Sequence, residues 1–319
     1  MLSVFDAQPA AANHLQKLIA ADIIPAYFSE IPGVLENLAI SDAGSSTSES
    51  IPVLIGGGTD LFVQKWDTIG EMNISLLNKK MGPNDISVAV DCLHIPATTT
   101  ISTLSESKLV RKYFPEIQTI LPLFGSLPIR NRATVAGNIV NASPIADFVN
   151  IAIALRASIT LRNGLGVTRT VLLDKFYLGY KSLDKSPDEI ITEVLIPLPK
   201  KNHLFTYEKI SKRTYLDIAS VNTSLSIAYD KGTIVSARIS AGGVGPVPML
   251  LGTASEYLAG KSVTIDVVKE AIRIAQNEIS PISDARGSAV YKKLLLGQLI
   301  KAHFLKLFPE LLSVEEILQ

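Results

Sequence analysis

Two glycine-bearing segments hold the residues best suited to chemistry in this 319-residue chain. They are Ile51-Pro-Val-Leu-Ile-Gly-Gly-Gly-Thr-Asp-Leu61 and, about seventy residues on, Ile129-Arg-Asn-Arg-Ala-Thr-Val-Ala-Gly-Asn-Ile-Val-Asn-Ala-Ser-Pro-Ile-Ala-Asp147. Three consecutive glycines after an apolar run have no Cβ to hold a ligand off, so backbone N–H groups can close on a pyrophosphate without spending a side-chain charge. The second segment adds the hydroxyls of Thr134 and Ser143, the amide of Asn138 and the open Gly137, and Pro144 stops a helix from running back through it. It offers many neutral hydrogen bonds and little charge. A second loop doing the work of the first would clamp a dinucleotide from two sides.

Spacing sets the first segment apart from the common phosphate loops. A Rossmann fingerprint needs a third glycine at position 61, which is Leu61, and a P-loop needs Gly-Lys-Ser/Thr, which does not follow. Alone, Gly-Gly-Gly-Thr-Asp is equally a strand-to-turn transition. Pairing with the second segment gives it weight. The remaining reactive side chains point away from self-contained catalysis. The single cysteine, Cys92, cannot form an internal disulfide, supply a zinc site or hold a [2Fe–2S] cluster, which takes four thiolates. The four histidines, His14, His94, His203 and His303, lack the i, i+4 spacing of a helical metal site. No nucleophile–base grouping supports hydrolysis, so any chemistry here belongs to a bound cofactor.

The elements that must carry these loops are readable in outline. Ala11 to Ala21 is helix-like, Pro25 and Pro32 interrupt it, and Asp42 to Ser50 reads as a polar linker. Val53–Ile55 and Ser87–Asp91 read as short strands, Leu104–Leu123 as an amphipathic helical stretch broken at Pro115 and Pro122, and Phe148–Leu155 as a helix. Asp147 then sits at the positive end of that helix's dipole. After Pro197-Leu-Pro199 the pattern changes. Ser220–Tyr229 and Thr233–Ala241 form a hairpin about Asp230-Lys-Gly232, followed by a helix over Ser262–Ser280 with Ile265, Val268, Ala271, Ile272 and Ala275 on one stripe and another over Tyr291–Leu307. Sheet first and helices after makes an α+β fold.

Several phrases together resemble the FAD-binding part of the molybdenum hydroxylases, the group of xanthine dehydrogenase and the carbon monoxide dehydrogenase medium subunit. They are Gly57-Gly-Thr-Asp-Leu61, Ile129-Arg-Asn-Arg-Ala-Thr134 and Gly137 to Asp147, then Phe176-Tyr-Leu-Gly-Tyr-Lys181 and Tyr207 to Arg213 with Asp217-Ile-Ala-Ser220. Ala241-Gly-Gly-Val-Gly-Pro246 and Pro281 to Ser288 with Tyr291 complete the series. The resemblance spans roughly residues 50 to 305, and its last phrase is most like the xanthine dehydrogenase branch. It implies a two-part FAD-binding domain of the PCMH or vanillyl-alcohol oxidase type over residues 41–199 and a smaller C-terminal domain of antiparallel sheet plus helices over 200–310. Residues 1–40 resemble the linker that follows the iron–sulfur region in fused small subunits, so separate subunit and part of a larger chain both stay open.

The resemblance also implies a site. Leu54, Ile55, Gly56, Gly57, Gly58, Thr59, Asp60 and Leu61 would wrap the FAD pyrophosphate, with the Asp60 carboxylate turned away or bonded to backbone amides. Thr134, Val135, Ala136, Gly137 and Asn138 match the second loop, where relatives carry two adjacent glycines and this chain has Ala136-Gly137. Ser143 joins them. Phe124 matches an aromatic packed on the cofactor, Asp147 an acidic residue at its nucleotide end, and Ile191 and Lys209 positions lining the isoalloxazine. FAD would be bound non-covalently, with iron–sulfur and molybdopterin centres on partner subunits or domains in a hetero-oligomer and NAD⁺ or O₂ as acceptor. Departures at Thr214-Tyr-Leu216, Leu250 and Pro96 bear on acceptor contacts.

Two other readings stay open from the residues: a self-sufficient oxidase of the vanillyl-alcohol oxidase type, for which Cys92 and His94 could serve covalent attachment, and a scaffold that has lost its flavin, suggested by Ala136. Thirty basic and thirty acidic residues give a formal net charge of zero, so no charge footprint favours nucleic acid or an anionic membrane. No apolar stretch reaches about 18 residues and no signal-like N-terminus is present, which gives a cytoplasmic expectation by default.

Overall fold

A computed structural model of the chain describes residues 14–34, 52–81 and 85–318. It divides into two compact units, residues 1–51 and 52–319. In the first, the helix His14–Ala20 buries none of its side chains and a 3₁₀ turn, Ala26–Ser29, follows Pro25. The start of the expected Ala11–Ala21 helix and the Asp42–Ser50 linker lie outside the described residues.

The second unit contains two hydrophobic cores. The first is built on a five-stranded antiparallel sheet in the order Ser87–Ala89, Cys92–Pro96, Ile190–Pro197, Ser158–Arg162, Thr168–Leu172. Strand alternation decides which face is covered: Leu93, Ile95, Ile159 and Leu161 point inward and are fully buried, while Cys92, His94, Ser158 and Thr160 between them are half-buried. The strand expected over Ser87–Asp91 ends at Ala89, because Val90 and Asp91 adopt left-handed conformations (φ 48° and 59°) and turn the chain into the next strand. The amphipathic stretch resolves into short helices, Ile101–Glu106, Lys108–Tyr113 and Ile117–Ile120, and a 3₁₀ turn, Leu121–Leu123. Thr100 and Ser107 cap the first two through their hydroxyls, and Pro115 and Pro122 mark later breaks.

The second core lies between a four-stranded antiparallel sheet, in the order His203–Ile210, Val221–Asp230, Thr233–Gly242, Met249–Leu250, and C-terminal helices. Lys231 (φ 46°) and Gly232 (φ 81°) form the two-residue turn of the expected hairpin, both left-handed as the strand twist requires. The helix Ile265–Glu278, capped by Thr264, buries Val268, Ala271, Ile272 and Ala275 of the predicted stripe, leaving Ile265 half-buried. Each large aliphatic side chain so buried contributes about 1.5–3 kcal/mol. The long helix Ala289–Leu307, capped by Ser288, packs on the strands His203–Ile210 and Val221–Asp230.

One helix joins the two cores. Asp147–Ala154 is buried from Phe148 to Ala154, as expected of a helix apolar on every side. It packs against strands Val221–Asp230 and Thr233–Gly242, and Asn150, the one polar side chain inside its apolar run, fixes it there. Asn150 Nδ2 donates to the Asn222 carbonyl and to its side-chain oxygen (3.3 and 3.2 Å), while Asn150 Oδ1 accepts from Ser224 and Ser240 hydroxyls. At the helix C-terminus Arg238 donates to Ile153 O (3.0 Å) and pairs with Asp174 (2.9 Å). Among the described residues no helix is long and apolar enough to cross a membrane.

Candidate functional site

The two glycine-bearing segments meet backbone to backbone. Strand Val53–Ile55 pairs in parallel with Ile74–Leu76 and releases the chain into Gly56–Asp60, after which Leu61–Gln64 forms one helical turn. A Cβ on Gly57 would overlap the carbonyl oxygen of Arg132, and one on Gly56 would stand 2.5 Å from Thr134 Oγ1. Gly58 is left-handed at φ 75°, a conformation that costs any residue with a side chain. The glycines are therefore required twice over: by the turn, and by the second segment lying directly against it.

This packing leaves a continuous donor row. Among the described residues, the backbone N–H groups of Gly56, Gly57, Gly58, Thr59, Asp60 and Leu61 have no protein acceptor, the first amides so engaged being those of Phe62 and Val63. Six adjacent N–H groups without a protein acceptor are available to an anion with several oxygens. Asp60 is exposed and makes no capping bond. Leu54 packs at the edge of the first core, and Ile55 is buried.

The second segment works differently from the first. Thr134 caps the helix Val135–Asn141, its Oγ1 accepting from Gly137 N at 3.1 Å. The amides of Val135, Ala136 and Asn138 donate to Thr99 O, Ala97 O and Thr134 O at 3.0–3.2 Å. The expectation that this loop would clamp a ligand with free amides is thereby corrected: it buttresses the glycine loop instead. Val135 and Ala136 are core residues, 0% and 3% exposed, so the extra methyl of Ala136 is absorbed by packing. What the segment does offer is Asn138, whose Oδ1 is buried without a partner. A buried, unpaired amide oxygen is costly unless a ligand or water satisfies it. Ser143 stays half-buried, its hydroxyl accepting weakly from Ile145 N at 3.5 Å.

The outlying expected residues gather around one carboxylate. Asp147 Oδ1 accepts from Tyr207 Oη and Asn222 Nδ2, each at 2.6 Å, and Oδ2 from Lys209 Nζ at 2.7 Å. Burial, reinforced by this carboxylate, holds the Tyr207 phenol protonated well above its ordinary range. Lys209 also donates to Leu123 O at 2.9 Å. Asp147 and Lys209 were expected at opposite ends of a dinucleotide; the structure joins them in a single ion pair, which does not suit an extended cofactor. Ile191 is 3% exposed, opposite Leu161 in the five-stranded sheet, and presents no open face to a ring. Phe124 is half-buried against the first core, in a turn whose carbonyls bind Arg130.

The sequence reading missed Arg130, Tyr207, Asn222 and Asn150. The signals were there: an amide inside the apolar run Phe148–Ala154, and Tyr207 and Lys209 two apart on one strand face, with Asn222 opposite Lys209 in register. Elsewhere, His94 Nδ1 lies 2.9 Å from Glu193 Oε2 on the half-buried face of the sheet, two residues from Cys92. Tyr215 is exposed in the turn closed by Arg213 N donating to Asp217. Among the described residues no His, Cys, Asp and Glu cluster could hold a metal ion.

Residues 35–199 match the FAD binding domain in molybdopterin dehydrogenase, and residues 206–307 the CO dehydrogenase flavoprotein C-terminal domain. The chain is 28% identical over 266 residues to the nicotinate dehydrogenase FAD-subunit of Eubacterium barkeri, covering 82% of this chain and 88% of that one. It is 28% identical over 267 residues to xanthine dehydrogenase of Blastobotrys adeninivorans, covering 76% of this chain but 19% of that much longer protein. A chain of the Hydrogenophaga pseudoflava carbon monoxide dehydrogenase structure superposes with a TM-score of 0.75 at 26% identity, over 82% of this chain and 90% of that one.

Proposed function

This chain belongs to the family of FAD-binding domains in molybdopterin dehydrogenases, and from that premise we propose that it is the flavin-carrying electron-transfer part of a xanthine dehydrogenase-like molybdenum hydroxylase. The observation that carries the reading is the row of six free N–H groups from Gly56 to Leu61. It fits a pyrophosphate in number and charge, and the orphaned Asn138 oxygen of the second segment supplies an acceptor for a nucleotide N–H or hydroxyl.

Bound FAD supplies an acceptor of single electrons that can release them as a pair. The chain's own residues do the rest. The backbone of Gly56–Leu61 holds the pyrophosphate, Thr134 and Arg132 set the loop from behind, and Asn138 and Ser143 offer polar contacts on the second segment. Phe124 shields one side of the cofactor. Lys209, bonded to Leu123 O and Asp147, acts on the site from behind, and Ile191 supports the sheet.

The electrons come from iron–sulfur clusters on a partner chain or domain, because one cysteine cannot ligate a cluster. Substrate oxidation takes place at a partner's molybdopterin, and NAD⁺ or O₂ is the final acceptor, in a cytoplasmic hetero-oligomer. We assign residues 1–40 to an N-terminal extension or linker, 41–199 to the FAD-binding domain and 200–310 to the C-terminal domain.

The test is reconstitution of the purified chain with FAD followed by anaerobic NADH. Retained flavin that bleaches rapidly supports an NAD⁺-linked unit, and retained flavin that NADH leaves oxidised but that air rapidly reoxidises after dithionite reduction supports O₂. A chain that takes up no flavin under any condition sinks the reading in favour of a scaffold.

A further inference from the structure

The turn Pro122-Leu-Phe-Gly125 presents four consecutive carbonyl oxygens, and two cations take all of them. Arg130 Nη1 lies 3.2 Å from Pro122 O, 3.0 Å from Phe124 O and 3.1 Å from Gly125 O. Lys209 Nζ takes the fourth, Leu123 O, at 2.9 Å. The same ammonium bonds Asp147 Oδ2 at 2.7 Å, and its side chain is only 3% exposed. Leu123 stands just before the second glycine-bearing segment and Asp147 at its end. Lys209, reaching over from the C-terminal sheet, therefore ties the entry of that segment to its exit.

The consequence reaches the donor row. Between those tied ends lie Arg132 and Thr134, whose carbonyl and hydroxyl groups press on Gly57 and Gly56. Arg130 closes the helical turn Leu127–Arg130 immediately before them. Displacing either cation frees carbonyls that would seek water and loosens the part of the segment that lies against the glycine loop.

We propose that Arg130 and Lys209 are positioning residues that clamp the Pro122–Gly125 turn and thereby hold the glycine loop in its ligand-binding shape from behind. The C-terminal sheet is then part of the nucleotide site through one ammonium group, not a separate appendage. That the ligand is FAD rests on the proposed function; the clamp does not. A pre-shaped donor row binds more tightly because less ordering remains to be done on binding.

The experiment is amide hydrogen exchange on the full, flavin-free chain, comparing the unmodified protein with K209M, R130M and R130K, with FAD affinity measured in parallel. Expected are exchange rates at Val135, Ala136 and Gly137 raised roughly tenfold or more in K209M and R130M, with the helix Ala289–Leu307 unchanged. R130K should restore much of the protection, since an ammonium can still serve the carbonyls. FAD affinity should fall about tenfold in the same two variants. Unchanged exchange at these amides in both methionine variants overturns the clamp. If K209M loses protection throughout, including Ala289–Leu307, R130M decides, because all three Arg130 bonds are made within residues 122–130. A chain that shows the exchange pattern but binds no FAD keeps the clamp and loses the proposed function.

Discussion

Lys209 Nζ lies 2.7 Å from Asp147 Oδ2 in an ion pair whose side chains are 3% and 16% exposed. Such a pair adds little net stability over apolar residues of the same shape, yet removing one partner strands the other charge, at a cost of about 3–5 kcal/mol. D147N keeps the shape but removes the charge, and it also leaves Tyr207 and Asn222 facing a poorer acceptor. A fall in urea unfolding free energy of about 3–5 kcal/mol is expected, and K209M/D147N should recover part of it. Loss under about 1 kcal/mol for D147N would mean that solvent reaches the pair.

The glycine loop makes a sharper contrast. Gly57→Ala places a methyl group on the Arg132 carbonyl, backbone against backbone, whereas Gly70→Ala meets nothing within 4 Å. The first change should cost about 1–3 kcal/mol and abolish flavin retention on gel filtration. The second should leave both unchanged. Equal behaviour of the two variants would show that the segments do not lie against each other.

What the sequence revealed and what it hid divide along physical lines. The glycines of residues 56–58 were legible because the absence of a Cβ is a local property, and the Lys231-Gly232 hairpin because turn chemistry is local too. The free amides of the first loop and the committed amides of the second were not distinguishable. That difference is made by the carbonyls of Ala97 and Thr99, more than thirty residues from the amides they accept. The same holds for Asp147 and Lys209, which each look like a ligand contact in isolation and only in three dimensions turn out to satisfy one another. Ile191 misled for a related reason: alternation places it inward, but which neighbour covers it depends on the register with Leu161.

His303 gives the molecule a pH-dependent stability. It lies fully buried in the helix Ala289–Leu307, its Nε2 2.8 Å from Thr223 Oγ1 and its Nδ1 without a partner. Burial lowers its pKa from 6.5 to about 3. Between those values the unfolded chain binds a proton that the folded one refuses, so stability is fully present above the unfolded pKa and falls as the solution is acidified. The slope from this group is about 1.4 kcal/mol per pH unit. H303Q, which keeps a polar partner for Thr223 but cannot titrate, should flatten the urea-midpoint profile between pH 6 and pH 4 by about that slope. An unchanged profile would place the acid sensitivity in other groups.

The chain reports on its own proposed ligand through its one tryptophan. Trp66 is 75% exposed and follows the helical turn Leu61–Gln64 that begins at the last free amide. Trp66 is five steps along the chain from Leu61, so its backbone lies within about 18 Å of the end of the donor row even for a fully extended chain. A flavin held there accepts excitation from the indole at such distances. Titrating FAD into the flavin-free chain should quench the tryptophan emission and saturate at one equivalent, with W66F removing the signal and Gly57→Ala removing the saturation. ADP, which shares the pyrophosphate but has no ring to accept energy, should compete and restore emission. A linear, unsaturated decline identical to that of free tryptophan would show that no flavin occupies the loop.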